Sequence, residues 1–355
     1  MADQSPASIR QGIEPVKYGI VAFLRRGPIP PMSLPVLLII LAIGFAALAW
    51  SADFFVEGAS ALARHLGVSS LLIGLTVVGI GTSLPEMLVS AIAALDGTPG
   101  MALGNALGSN VANVGLILGM TALITPLAMH SGILRREFPL LMVVVAFTAL
   151  LLADATLSRL DGFLLLGGLV AVLAWMARQA RRPAGESDVM ARELEAALPE
   201  DMPVGRATLR VVLGLIVLLV SSRILVWAAV ALASQLGVSD LVIGLTIVAV
   251  GTSLPELAAG IASVRRGEDE LAVGNIVGSN IFNLLAVLGI AGVIAPFAVN
   301  GVSLARDYGI MTLFMLAIAV IGFFVGKSGR LGRLEGGILL TGFIAYQVML
   351  FVVQG

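Results

Sequence analysis

Cysteine is absent from these 355 residues, which excludes disulfides, thiolate nucleophiles and every cysteine-based metal site. Histidine is almost absent: His65 and His130 are the only two, too few for a histidine-rich metal cluster. Charge is scarce too, at 12% of residues against roughly 25% in a soluble globular domain. The net charge of −1 gives no footing for nucleic acid. Hydrophobic residues fill the space left, at 58%, with a mean hydropathy of +1.03. These values describe a polytopic membrane protein.

Residues 1–33 read as a tail and not as a signal peptide, because Arg25 and Arg26 interrupt their only apolar patch and no small-residue cleavage site follows. A bilayer span needs about 20 apolar residues. Apolar runs separated by polar or Gly/Pro breaks give ten candidates, at 34–56, 68–95, 101–126, 134–153, 160–178, 208–235, 238–264, 271–296, 307–325 and 334–353. One long polar segment, RQARRPAGESDVMARELEAALPEDMPVGR, divides them five and five. The expected organisation is a first unit at 34–178, a linker at 179–206 and a second unit at 207–355. Within the linker, 187–198 has the pattern of a short amphipathic helix, although plain linker is the simpler reading.

The two units are copies. LGVSSLLIGLTVVGIGTSLPE (Leu66–Glu86) aligns without gaps with LGVSDLVIGLTIVAVGTSLPE (Leu236–Glu256) at an offset of 170, with 16 of 21 positions identical. At the same offset LGNALGSNVANVGLILG (Leu103–Gly119) matches VGNIVGSNIFNLLAVLG (Val273–Gly289). Five spans is an odd number, so the second copy enters the membrane from the opposite side, giving an inverted-topology repeat of the kind found in secondary transporters. Fourteen Lys/Arg lie in the loops after the odd-numbered spans and six on the other side. By the positive-inside rule the linker is then cytoplasmic and both termini are outside.

A helix breaker and a carboxylate sit side by side in each copy of GTSLPE. Pro85 has no N–H and clashes with the preceding turn, which frees carbonyls near Gly81 and Thr82. In lipid a freed carbonyl is costly unless protein or an ion satisfies it. Thr82, Ser83 and Glu86 fall on neighbouring positions of one helix face, and Thr252, Ser253 and Glu256 repeat them. An intramembrane carboxylate is a functional-site hypothesis by default. Broken helices 2 and 7 meeting at the midplane would pool two carboxylates with several neutral oxygens. That suits Ca²⁺, which takes 6–8 oxygen ligands; Na⁺ or protons could occupy the same cage.

The second repeated motif places Ser109 and Asn113, and Ser279 and Asn283, at i, i+4. We read these four as further ligands, and Asn105, Asn110, Asn275 and Asn280 as helix-packing residues. Glycines 104, 108, 274 and 278 permit close helix approach. In span 1, Asp53 and Glu57 stand at i, i+4, and the offset partner of Asp53 is Arg223. An Asp53–Arg223 pair is one reading; separate interfacial charges near the span ends are the simpler one.

The doubled GTSLPE and the doubled GSNxxN resemble the two alpha repeats of the calcium/cation antiporter superfamily, and most of all prokaryotic calcium/sodium antiporters. The resemblance covers the chain from residue 34 onward. It implies an all-α integral membrane protein of ten transmembrane helices, in which two long helices, spans 1 and 6, slide across a core made of the other eight. It assigns cation ligands to Thr82, Ser83, Glu86, Ser109 and Asn113, and to Thr252, Ser253, Glu256, Ser279 and Asn283, with carbonyls near Gly79 and Ala249. Some prokaryotic relatives carry an aspartate where this chain has Asn113 or Asn283, so the cage here holds two carboxylates. The implied activity is exchange of Ca²⁺ for Na⁺ across the inner membrane of a prokaryote, with no cofactor and with inorganic cations and the lipid bilayer as partners. H⁺ coupling on the same fold is the alternative. An intramembrane carboxylate enzyme lacks a supporting Cys, mid-span His or Ser–His motif. A cation channel fits poorly, because a carboxylate cage holds ions too tightly for fast passage.

Overall fold

The computed structural model describes residues 33–128, 137–180, 202–236, 249–299, 301–321 and 330–354. The tail at 1–32, the amphipathic stretch at 187–198 and His130 lie outside them. The described residues are almost wholly helical. Helix α1 spans Leu34–Leu66. It begins with Pro35 in its first turn, where a missing N–H costs nothing. It ends at Gly67, whose left-handed φ of 63° lets its N–H reach back to Ala63 and Arg64. Then come α2 (Ser70–Thr82), α3 (Leu84–Leu95), α4 (Gly100–Ile124), α5 (Phe138–Leu151) and α6 (Arg159–Ala180). The second half holds α7 (Val204–Gln235), α8 (Ala249–Thr252), α9 (Leu254–Arg265), α10 (Asp269–Ile294), α11 (Gly301–Val320) and α12 (Arg333–Gln354).

Among the described residues six helices are long and apolar enough to cross a membrane: α1, α4, α6, α7, α10 and α11. The bent pair α2–α3 makes a seventh. Helix α5 is a shorter apolar helix, and the residues before α8 fall outside the description. Helix α11 starts six residues earlier than its apolar run suggested. Arg306 and Asp307 are accommodated inside it because they pair with each other, with Arg306 Nε 2.7 Å from Asp307 Oδ1.

Among the described residues four two-residue strands tie the halves together. β1 (Leu127–Ala128) pairs antiparallel with β4 (Arg330–Leu331), and β2 (Thr156–Leu157) with β3 (Phe297–Ala298). Each ladder therefore joins one half to the other. The helices interlock in the same way. Helix α10 packs against α2 of the first half, α12 against α4, and α6 against the C-terminal part of α10. The main apolar core lies at this junction, with Ile117, Leu127, Leu141, Leu157, Leu284 and Met311 fully enclosed. Helices α1 and α7 pack along each other as a separate pair, and a smaller apolar cluster fixes α1 to α9.

Helices α2 and α10 cross in backbone contact at Gly74 and Gly274. A Cβ on Gly74 would sit 2.6 Å from the Leu271 carbonyl oxygen, and one on Gly274 would sit 2.5 Å from that of Leu71. Only glycine lets the two backbones touch there. Gly278 plays the same part against Leu75. Gly104 and Gly108 meet nothing within 4 Å among the described residues.

Asp53 and Glu57 are not separate charges: both lie against Arg266. Glu57 pairs with Arg210 of α7 and, at 3.2 Å, with Arg266 just beyond α9; Arg266 also lies 3.8 Å from Asp53. The reason is that α1 runs on to Leu66, which carries residues 53 and 57 into its middle, level with the N-terminal third of α7.

Candidate cation site

The two GTSLPE segments break at the same residue in the same way. Ser83 has φ −84° and ψ 1°, and Ser253 has φ −89° and ψ 5°. Both values lie in the sparsely populated bridge region. Pro85 and Pro255 stand in the first turn of the helix that follows, where proline is tolerated. The axis turns by 41° between α2 and α3. Among the described residues, π-helical turns at Gly74–Val78, Asn113–Leu118 and Asn283–Val287 flank this region. A widened turn of that kind is commonly found at functional sites.

The breaks aim the two carboxylates across the junction. The hydroxyl of Thr252 faces the Glu86 carboxyl, and those of Thr82 and Ser83 face Glu256. Ser83 Oγ reaches Glu256 Oε1 at 3.5 Å, the outer edge of a hydrogen bond. Hydroxyls of each copy thus lie beside the other copy's glutamate. Glu86 and Glu256 are each 1% exposed and close enough to repel. No Lys or Arg enters either motif, and among the described residues no third His, Cys, Asp or Glu joins them. Both oxygens of Glu86, Oε2 of Glu256, Ser253 Oγ, Ser279 Oγ and Asn283 Oδ1 are buried without a hydrogen-bond partner of good geometry among the described residues. Buried carboxylate oxygens left in that condition are expensive, and a cation placed between them would offset that cost.

The rest of the anticipated set is near by. Asn113 and Asn283, each 1% exposed, open the π turns that pack against α9 and α3, the helices bearing Glu256 and Glu86 respectively. Ser109 and Ser279 are buried one turn earlier. The Gly79 carbonyl accepts the Ser83 amide at 3.1 Å, which leaves its second lone pair. Ala249 opens α8, and its carbonyl belongs to the same turn as Ser253.

Four asparagines assigned to packing do more than fill space. Asn275 Oδ1 takes the Thr82 hydroxyl proton at 3.1 Å, so the Thr82 lone pairs are left for other partners. Its repeat mate Asn105 instead donates to the Glu86 carbonyl oxygen and to Ser90 Oγ; Ser90 is replaced by Gly260 in the second copy, which breaks the symmetry. Asn280 and Asn110 accept from Asn113 and Asn283. Ser222 of α7 was not anticipated. Its hydroxyl donates to the Gly251 carbonyl at 3.2 Å, the carbonyl that Pro255 leaves without its helical amide. No periodicity marks it, because its repeat mate is Ala52. The only available signal was a serine pair inside an apolar run.

A family model described as sodium/calcium exchanger protein matches residues 36–178 and 206–352. The chain is 49% identical over 313 residues to the putative antiporter CaxA of Alkalimonas amylolytica, covering 88% of this chain and 98% of that one. It is 43% identical to the inner membrane protein YrbG of Escherichia coli, over 88% of this chain and 96% of the relative. It is 30% identical to the sodium/calcium exchanger MaX1 of Methanosarcina acetivorans, over 89% and 98%. A solved structure of the sodium-calcium exchanger NCX_Mj superposes with a TM-score of 0.75 at 30% identity, covering 88% of this chain and 98% of that one.

Proposed function

The chain belongs to the sodium/calcium exchanger protein family, and from that premise we propose that it exchanges Ca²⁺ for Na⁺ at one site shared by its two halves. Membership makes it a multi-pass inner-membrane cation antiporter and not an enzyme. The finer reading has ten transmembrane helices in two inverted five-helix halves, 34–178 and 207–355, joined by a cytoplasmic linker at 179–206, with both termini outside. Glu86 and Glu256 are the anionic ligands at the midplane. Thr82, Ser83, Ser109 and Asn113, with Thr252, Ser253, Ser279 and Asn283, supply neutral oxygens, and the carbonyls near Gly79 and Ala249 complete the cage.

One observation supports this above the rest: each buried glutamate lies beside hydroxyl groups of the opposite copy, Glu86 beside that of Thr252 and Glu256 beside those of Thr82 and Ser83. Two carboxylates balance one Ca²⁺, two Na⁺ or two H⁺, so competing occupancy of one cage couples their movements. Helices α1 and α7 are the moving pair, since they pack along each other and touch the core where Ser222 meets Gly251. Proton coupling is the second reading, favoured by the pairing of two buried carboxyls that share one space. The deciding experiment is ⁴⁵Ca²⁺ uptake into proteoliposomes under Na⁺, K⁺ or H⁺ gradients imposed one at a time. Uptake driven by Na⁺ alone supports the proposal. Uptake driven only by H⁺ in Na⁺-free buffer replaces it with the second reading, and a flux indifferent to every gradient defeats both.

A further inference from the structure

Asn110 and Asn280 lie one turn from the asparagines that open the π turns, and all four are buried. Asn113 Nδ2 donates to Asn280 Oδ1 at 3.1 Å, and Asn283 Nδ2 donates to Asn110 Oδ1 at 3.0 Å. The outer members then donate outward: Asn110 Nδ2 to Met311 Sδ at 3.4 Å, and Asn280 Nδ2 to Met315 Sδ at 3.6 Å. Both methionines are fully buried and stand one turn apart on α11. Two parallel relays, thioether to outer amide to inner amide, cross between the halves and end on a single helix.

Chemistry fixes the direction of each relay. A thioether has no proton to give and can only accept. The end of the Asn110 or Asn280 amide that faces sulfur is therefore the N–H end, since a carbonyl there would be buried without a donor. Its oxygen is forced to face the inner asparagine, which must answer with N–H. The inner oxygen is then left pointing away from the relay, and Asn283 Oδ1 is buried with no hydrogen-bond donor among the described residues. An asparagine without this restraint beside two carboxylates would turn its N–H towards them, and a cation would first have to reverse it.

We propose that Asn110 and Asn280, held by Met311 and Met315, are positioning residues that lock the amides of Asn283 and Asn113 with their oxygens towards the cation. The inference rests on the reading that Asn113 and Asn283 face the transported ion. The first copy has Leu141 and Val145 at the positions matching Met311 and Met315, so the anchor is supplied once, by the second half, for both relays.

The test is a mutant cycle on the full chain in detergent, read as ⁴⁵Ca²⁺ half-saturation. An aspartate at position 283 carries oxygen at both ends and needs no orientation. Asn110→Ala should raise half-saturation about tenfold in the native background, and by under about twofold when combined with Asn283→Asp. Met311→Leu conserves volume and removes only the acceptor; it should weaken binding about threefold, again only while residue 283 is asparagine. If Asn110→Ala does not fold, the Met311→Leu arm decides. Equal losses in both backgrounds, or no loss in either, overturn the proposal. Unaltered binding in Asn283→Leu would instead show that the underlying site reading is wrong.

Discussion

Replacing Gly274 by alanine tests whether the two halves are set by backbone contact. The new Cβ would lie 2.5 Å from the Leu71 carbonyl oxygen, where ordinary contact begins at 3.4 Å. Helices α2 and α10 must therefore part by 0.9 Å, the difference between those two values, because the obstacle is main chain and cannot rotate away. Asn275 is the next residue along α10, and its bond to Thr82 is 3.1 Å long. The same retreat stretches it to 4.0 Å, beyond any hydrogen bond. Overpacking of this kind costs about 1–3 kcal/mol. A displacement of about 1 Å in a preorganised site can cost on the order of a hundredfold in function. We expect Gly274→Ala to lower the melting temperature in detergent and to raise the half-saturation for ⁴⁵Ca²⁺ uptake by at least about tenfold. The control is Gly309→Ala, where a Cβ meets nothing within 4 Å among the described residues. Gly274→Ala behaving like that control would refute the close crossing and the placement of Thr82 that follows from it.

Three further outcomes are expected. Ser222→Ala leaves the Gly251 carbonyl without its side-chain donor; it should cost about 1 kcal/mol, measured by thermal unfolding, and loosen α7 from the core in hydrogen exchange. The Glu57–Arg266 pair is about one-third exposed on each side, so a double-mutant cycle with Glu57→Gln and Arg266→Gln should return a coupling of no more than about 1 kcal/mol that shrinks in high salt; a larger, salt-independent value would contradict the pairing drawn here. In the turn before β2, hydrogen bonds from the Thr156 hydroxyl and amide hold the Asp154 carboxyl below its ordinary value. A depressed carboxyl stabilises above its unfolded value and loses that effect as pH falls through the folded one, so exchange protection at Thr156 should drop only in acid below the usual carboxylate range, and Asp154→Asn should remove that pH dependence.

Much of the architecture was legible because duplication is a strong signal and apolar length a direct one. A helix overlaps each of the ten apolar runs, and the offset of 170 located both breaks, which take nearly the same backbone angles at Ser83 and Ser253. Contacts that depend on how helices cross were not legible. Asp53 and Glu57 find Arg266 and Arg210 because α1 extends ten residues past its most apolar stretch, and helix length beyond the apolar run is set by packing and capping at Gly67. The roles of Asn110 and Asn280 were hidden because their acceptors, Met311 and Met315, come from a distant helix and have no counterpart in the repeat. The start of α11 was misplaced because a neighbouring ion pair let charged residues continue the helix.

The central claim is that the carboxylates of Glu86 and Glu256 hold one ion between them. Equilibrium ⁴⁵Ca²⁺ binding to the purified chain should give one high-affinity ion per polypeptide, lost in Glu86→Gln and equally in Glu256→Gln. Two ions per chain, or full affinity retained in either single variant, would contradict it.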